Sequence, residues 1–320
     1  MAVFTKIDKS DINKIENSFN LGIVKKYNGI KKGIENTNYL IKTNKKKYIL
    51  TIFEKRVKEQ DLPFFCELIS LLNKSGFKCP LPLMNLENNP ISTFKGKKLT
   101  ILTFISGKSK ENLSNDNCKD IGKEAARLHL LTSNFKIQRK NALSIESWRN
   151  MFENIKDKCI KIHKDLPNLI ETNLKDIEKN WPSNIPSGII HADLFKDNII
   201  FENNKVSGII DFTFSCNDFY ALEIAICFNA LCFDGVKGNL SFNVTKAKNF
   251  IEGYSSIRKL SDQEKNSIKI LSQGAALRFL LTRVFDAINT VEGALVKIKD
   301  PIEYLKSYNK RVYSIDFGKI

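Results

Sequence analysis

Apolar and polar residues change their period along this chain. Between residues 22 and 53, short apolar runs (Tyr39-Leu40-Ile41, then Tyr48-Ile49-Leu50-Thr51-Ile52-Phe53) alternate with Gly, Asn and Lys turns, which predicts a β-meander. Lys45-Lys46-Lys47 falls between two runs and reads as a solvated strand connection. Leu62, Phe65, Leu68, Ile69 and Leu72 stand at helical spacing over 61–74. Gly76 ends that helix, Pro80 and Pro82 keep the next segment extended, and Leu99–Ile105 is a further strand. From about residue 114 the period is helical, with Ile121, Ala125, Leu128 and Leu131 on one stripe. Ser144 opens a helix carrying Trp148, Met151, Phe152 and Ile155. Three short strands follow over 187–211, with Asn203-Asn204 as the turn between the last two. An apolar helix over 221–232 comes next, then a helix opened by the capping box Ser261-Asp262-Gln263-Glu264, and a separate one over 274–289. The expected fold class is α+β: a small β-rich lobe over 1–104 and a larger, mainly helical lobe over 105–320.

Composition narrows the function classes. Fifty-one basic and 35 acidic residues give a net charge of +16, yet the lysines are scattered, so nucleic acid is not the expected partner. The positive field favours an anionic nucleotide instead. Charge breaks every apolar stretch, and the first residues lack a signal-peptide core, so no membrane partner is expected and the location is read as cytoplasmic. The seven cysteines form no CxxC pair and read as reduced, buried thiols.

One segment carries chemistry. His191-Ala192-Asp193-Leu194-Phe195-Lys196-Asp197-Asn198 lies in a loop between two apolar strands, and Asp211 ends the following strand. An acid, an amide five positions on and a second acid eighteen positions on are what metal-dependent phosphoryl transfer to a hydroxyl needs. Asp193 is the expected catalytic base. Asn198 and Asp211 are the expected Mg²⁺ ligands, because that hard ion prefers oxygen. His191 is expected to support the loop through hydrogen bonds rather than react.

The nucleotide-binding signals are weaker. Gly107-Lys108-Ser109 is no P-loop, since position 102 is Leu where a glycine is required, and it reads as a linker. Gly33, with Asn36 and Asn38, forms a turn whose backbone and amides could meet phosphates. Where kinases carry a strand lysine paired with a helix glutamate, this chain has Thr51; Lys55 and Arg56 are the nearest cations and Glu67 is the matching acid.

These residues resemble the aminoglycoside-phosphotransferase-like superfamily, which shares the protein-kinase fold, and in particular its bacterial homoserine kinases. The resemblance runs from Met1-Ala2-Val3 through Gly33–Leu40, Ile49–Thr51, Glu54–Val57, Asp61–Phe65 and the 191–198 loop. It continues through Ser241–Lys246, Gly274–Arg283 and Gly293–Lys297. It implies ATP-dependent phosphorylation of the side-chain hydroxyl of L-homoserine, with ATP between the lobes and its adenine against the 103–106 hinge, Phe104 included. Choline, hydroxylysine or aminoglycoside kinases are the nearest alternatives, and a non-catalytic nucleotide- or nucleic-acid-binding protein is a more distant one. In this subfamily Thr51 is usual. Two departures stand out: Lys196 where Pro is favoured, and Glu223 where Asp is usual, which puts an Asp-based support of the loop in doubt. The acceptor's carboxylate calls for a guanidinium, and Arg278 and Arg283 are the candidates; Glu35 or Asp218 could meet its ammonium.

Overall fold

Alternating burial along the first strands builds an antiparallel sheet. The computed structural model describes residues 5–30, 36–54, 57–236, 239–289, 299–315, 318 and 320. These divide into two compact units. One holds the described residues up to Ser106 together with Gly208–Thr213, and the other holds the rest.

In the first unit α1 (Lys9–Phe19) precedes β1 (Val24–Gly29), β2 (Thr37–Thr43) and β3 (Lys47–Ile52). Then come α2 (Leu62–Lys74), β4 (Ser92–Phe94) and β5 (Lys97–Thr103). The sheet order is β1-β2-β3-β5-β4, antiparallel throughout. Ile12, Ile15 and Phe19 of α1 pack on Ile41, Leu50, Ile52, Leu99 and Ile101. Each such aliphatic side chain contributes about 1.5–3 kcal/mol when fully buried. The meander, the helix over 61–74 and the strand near 99 therefore stand where the sequence expects them.

The second unit is mainly helical: α3 (Asn115–Leu131), α4 (Ile145–Glu153), α5 (Lys156–Cys159), α6 (Leu166–Asn180), α7 (Tyr220–Leu231), α8 (Val244–Ser255), α9 (Asp262–Asn289) and α10 (Pro301–Tyr313). Its strands are short: β6 (Ser187–Ile190), β7 (Ile199–Glu202), β8 (Lys205–Ile209, whose last two residues group with the first unit), β9 (Cys216–Phe219), β10 (Phe233–Val236) and β11 (Asn239–Phe242). Trp148, Phe152, Ile170, Leu174, Leu277, Leu281 and Tyr308 lie in its core. Two expectations are corrected. The segment from 262 to 289 is one helix, not two, because Gly274 sits inside a packed helix face rather than ending it. The strands β9, β10 and β11 are additional, built from stretches too polar or too short to show a period.

Candidate active site

The reactive loop begins with a forced turn. β6 ends at Ile190, and Ala192 takes φ +63°, a left-handed conformation that costs a residue with a side chain about 1–3 kcal/mol. Two buried charged side chains hold it there. Glu223 of α7 accepts hydrogen bonds from the backbone N–H groups of His191 and Ala192, the latter at 3.0 Å. Arg278 of α9 donates from Nη2 to the Ala192 carbonyl at 2.9 Å. Glu223 thus supports the loop itself. Burial pushes its carboxyl up to about 7, outweighing the two amide hydrogen bonds and the nearby Arg278, which pull the other way.

Beyond Ala192 the loop closes on Asp193. The Asp193 N–H donates to His191 Nδ1 at 3.3 Å, which places His191 as a support of the loop. Asn198 donates from Nδ2 to the Asp193 carbonyl at 2.8 Å and to its Oδ2 at 3.0 Å. One carboxylate oxygen of Asp193 is thereby fixed, and the amide oxygen of Asn198 is turned away from it. Lys196 reaches out of the loop to the Glu111 carbonyl at 2.8 Å and tethers it. Phe195 stacks edge-on against Phe279, whose ring also lies 4.3 Å from the Arg278 guanidinium.

Asp211 is exposed and groups with the first unit, where Ile209 N–H donates to the Lys78 carbonyl at 2.9 Å. It takes φ +63°, and its Oδ1 accepts from the Thr213 hydroxyl at 2.6 Å. Asn198 in the second unit and Asp211 in the first each carry a side-chain oxygen, the donor type a hard divalent cation prefers. No group of three His, Cys, Asp or Glu able to hold a metal occurs among the described residues.

The remaining expected residues fall into different settings. Gly33 and Glu35, like Lys55 and Arg56, lie outside the described residues. Asn36 Oδ1 accepts from the Glu54 N–H at 3.4 Å, and Asn38 Oδ1 accepts from the Thr51 hydroxyl at 2.7 Å across the β2–β3 pair. Glu67 is exposed, because the inward stripe of α2 is Leu62, Phe65, Leu68 and Leu72. On this sheet Lys97 forms an ion pair with Glu54, with Thr5 and Thr37 hydrogen-bonded to the same carboxylate. Burial raises the Glu54 pKa, but those partners prevail and hold it below the usual carboxylate range. Phe104 follows β5 half-buried, with Lys47 Nζ 5.4 Å from its ring. Gly107-Lys108-Ser109 forms no phosphate loop: Lys108 exchanges backbone hydrogen bonds with Phe201.

Arg278 and Arg283 diverge, as their spacing on one helix requires. Arg278 is 4% exposed, beside the reactive loop, and its Nε is buried without a partner. Arg283 donates to the Asp300 carbonyl at 3.3 Å and lies 4.7 Å from the Tyr304 ring. Asp218 of β9 accepts from Asn141 Nδ2 at 2.7 Å and from the Phe219 N–H at 2.7 Å. All seven cysteines are free and buried. No described helix is long and apolar enough to cross a membrane.

Known proteins are similar to this chain over most of its length. A family model described as a phosphotransferase enzyme family (APH) matches residues 26–256. A homoserine kinase from Mesorhizobium japonicum is 41% identical over 96% of this chain and 95% of its own length. Another from Bradyrhizobium diazoefficiens is 41% identical over 99% of this chain and 98% of its own. Among solved structures, an amicoumacin kinase in complex with AMP-PNP and Ca²⁺ superposes with a TM-score of 0.73 at 13% identity, covering 98% of this chain and 97% of that one. Choline kinase from Cryptosporidium parvum Iowa II gives 0.67 at 17% identity, covering 95% of each chain. The fold is the protein-kinase-like α+β arrangement expected from the sequence.

Proposed function

The chain belongs to the APH phosphotransferase family, and from that premise we propose that it transfers the γ-phosphoryl group of ATP to the side-chain hydroxyl of L-homoserine, a step of threonine biosynthesis. The observation that carries this reading is the 41% identity to homoserine kinases over nearly the whole of both chains.

Asp193 accepts the proton of the homoserine hydroxyl and orients its oxygen toward the phosphorus. The hydrogen bond from Asn198 fixes one carboxylate oxygen of Asp193. Glu223 and Arg278 hold the strained Ala192 backbone, so Asp193 is placed before substrate arrives. Asn198, through its amide oxygen, and Asp211 would hold Mg²⁺. When bound, that ion offsets the negative charge of the phosphates. Asn36, Asn38 and Phe104 in the first unit, with Gly33, are the residues assigned to the nucleotide, and Glu67 is exposed on α2. Of the two arginines expected at the acceptor, Arg278 is the one set to meet the carboxylate, because its buried Nε is still without a partner. Turnover of L-homoserine with ATP, compared with other hydroxyl acceptors, is the direct test.

A further inference from the structure

A cavity of about 420 Å³ opens in the second unit, lined by Asn141, Glu146, Trp148, Trp181, Asp218 and Phe219 among others. Its lining includes two carboxylates and no Lys, Arg or His, although the chain as a whole carries a net charge of +16. Asp218 has no ion-pair partner among the described residues; its oxygens are held by Asn141 and the Phe219 N–H, which orient the carboxylate without neutralising it. Trp148 and Trp181 meet edge to face, with ring centroids 5.3 Å apart. Gly274 of α9 makes room for them: a Cβ there would come within 2.8 Å of Trp181 Cη2 and 3.0 Å of Trp148 Cη2.

Two elements tie this cavity to the reactive loop. Gly274 lies four residues before Arg278, so the indoles and the arginine are about 6 Å apart along α9. In the β6–β9 pair Asp218 faces Gly188 and Cys216 faces Ile190, so Asp218 is two strand positions, about 7 Å, from the residue where the loop begins. The hydroxyl and ammonium groups of an extended four-carbon amino acid are separated by about 5 Å. Arg278 acts electrostatically on both ends: Asp193 favours its charged form, and Arg278 in turn draws the Asp218 pKa down against the burial that raises it.

We propose that this cavity seats the α-ammonium group of the acceptor, with Asp218 as its ion-pair partner, Glu146 as a second carboxylate at the mouth and the Trp148 and Trp181 rings as walls. A carboxylate and aromatic faces recognise an ammonium, by charge and by the ring quadrupoles. The assignment rests on the acceptor being an amino acid, as in the function proposed above. It also accounts for selectivity, since an acceptor without an ammonium leaves an oriented, half-buried carboxylate without a counter-charge.

The chain has two tryptophans and both line this cavity, so intrinsic tryptophan emission reports on it alone. The full chain without nucleotide is titrated with L-homoserine and with 4-hydroxybutyrate, which keeps the hydroxyl and carboxylate but lacks the ammonium. The expected result is a saturable emission change with homoserine and none with 4-hydroxybutyrate. Asp218→Asn and Glu146→Gln are then compared with the unsubstituted enzyme in steady-state kinetics on both acceptors. For Asp218→Asn, KM for homoserine should rise about tenfold or more, KM for ATP should hold, and the ratio of kcat/KM for homoserine over 4-hydroxybutyrate should collapse by a similar factor. Glu146→Gln should shift the same ratio in the same direction by less. An unchanged ratio with equal losses on both acceptors would make Asp218 structural and overturn the proposal, as would an unchanged KM for homoserine. If the unsubstituted enzyme does not phosphorylate homoserine, the function falls separately. Titration with ethanolamine and choline then decides the cavity: an emission change with either upholds an ammonium seat, and none with both overturns it.

Discussion

Glu223 and Arg278 grip the two sides of one peptide residue: the glutamate accepts the Ala192 N–H at 3.0 Å, and the arginine donates to the Ala192 carbonyl at 2.9 Å. Both side chains are buried, and both act on the residue immediately before Asp193. Removing either partner leaves a buried backbone group unsatisfied, which costs about 1–3 kcal/mol. Glu223→Ala is therefore expected to lower kcat about 10- to 100-fold while changing KM for ATP little, whereas Glu223→Asp retains more activity. Steady-state kinetics of the two variants checks this, and equal activity in both would deny Glu223 its positioning role.

Stability should carry the signature of the same carboxyl. Its pKa is pushed from an ordinary 4.5 to about 7 by burial, so the folded chain binds its proton more tightly than the unfolded chain does. The stabilisation is complete below about pH 4.5 and is lost as pH rises through 7, for a total on the order of 3 kcal/mol. Denaturant unfolding of the native enzyme and of Glu223→Gln at pH 5, 6, 7 and 8 should show the native enzyme losing stability relative to the variant across that interval. A constant difference would contradict the raised pKa.

Arg278 and Arg283 give a contrast on one helix. Arg278→Lys should lower kcat/KM for the acceptor about 10- to 100-fold, because the compact ammonium cannot both reach the Ala192 carbonyl and present a fork. Arg283→Lys, beside Asp300 and Tyr304, should change it less than about twofold. The reverse ranking would move the carboxylate site to Arg283.

Cys66, Cys79 and Cys159 should be silent in the native state. Burial pushes the thiols of Cys66 and Cys159 up to about 11 and that of Cys79 up to about 12, so little thiolate forms near neutral pH. Titration with a thiol reagent should find few reactive groups in the folded enzyme and all seven after denaturation.

The sequence reveals most where periodicity or spacing is strong. The meander, the stripe of α3 and the 191–198 loop were legible because each repeats a pattern or matches a chemical requirement. The helix expected to begin at Gly274 is the second half of α9, because that glycine permits a close approach of Trp148 and Trp181, a tertiary contact invisible in the helical period. Lys97 and Glu54 went unnoticed because an antiparallel register, not sequence distance, brings them together. Glu223 was legible as a departure from the expected aspartate; that it still holds the loop depends on α7 facing the turn at Ala192, a relation set by packing.

The central claim is phosphoryl transfer to homoserine through Asp193. Asp193→Asn should lower kcat by about 10²–10⁴-fold while ATP binding persists. The decisive measurement is the initial rate of ATP consumption with Mg²⁺ and, in parallel, L-homoserine, choline, hydroxylysine and an aminoglycoside. A kcat/KM for homoserine exceeding every other acceptor by at least about tenfold, and lost in Asp193→Asn, is the predicted result; equal or greater turnover of another acceptor, or full activity in Asp193→Asn, would contradict it.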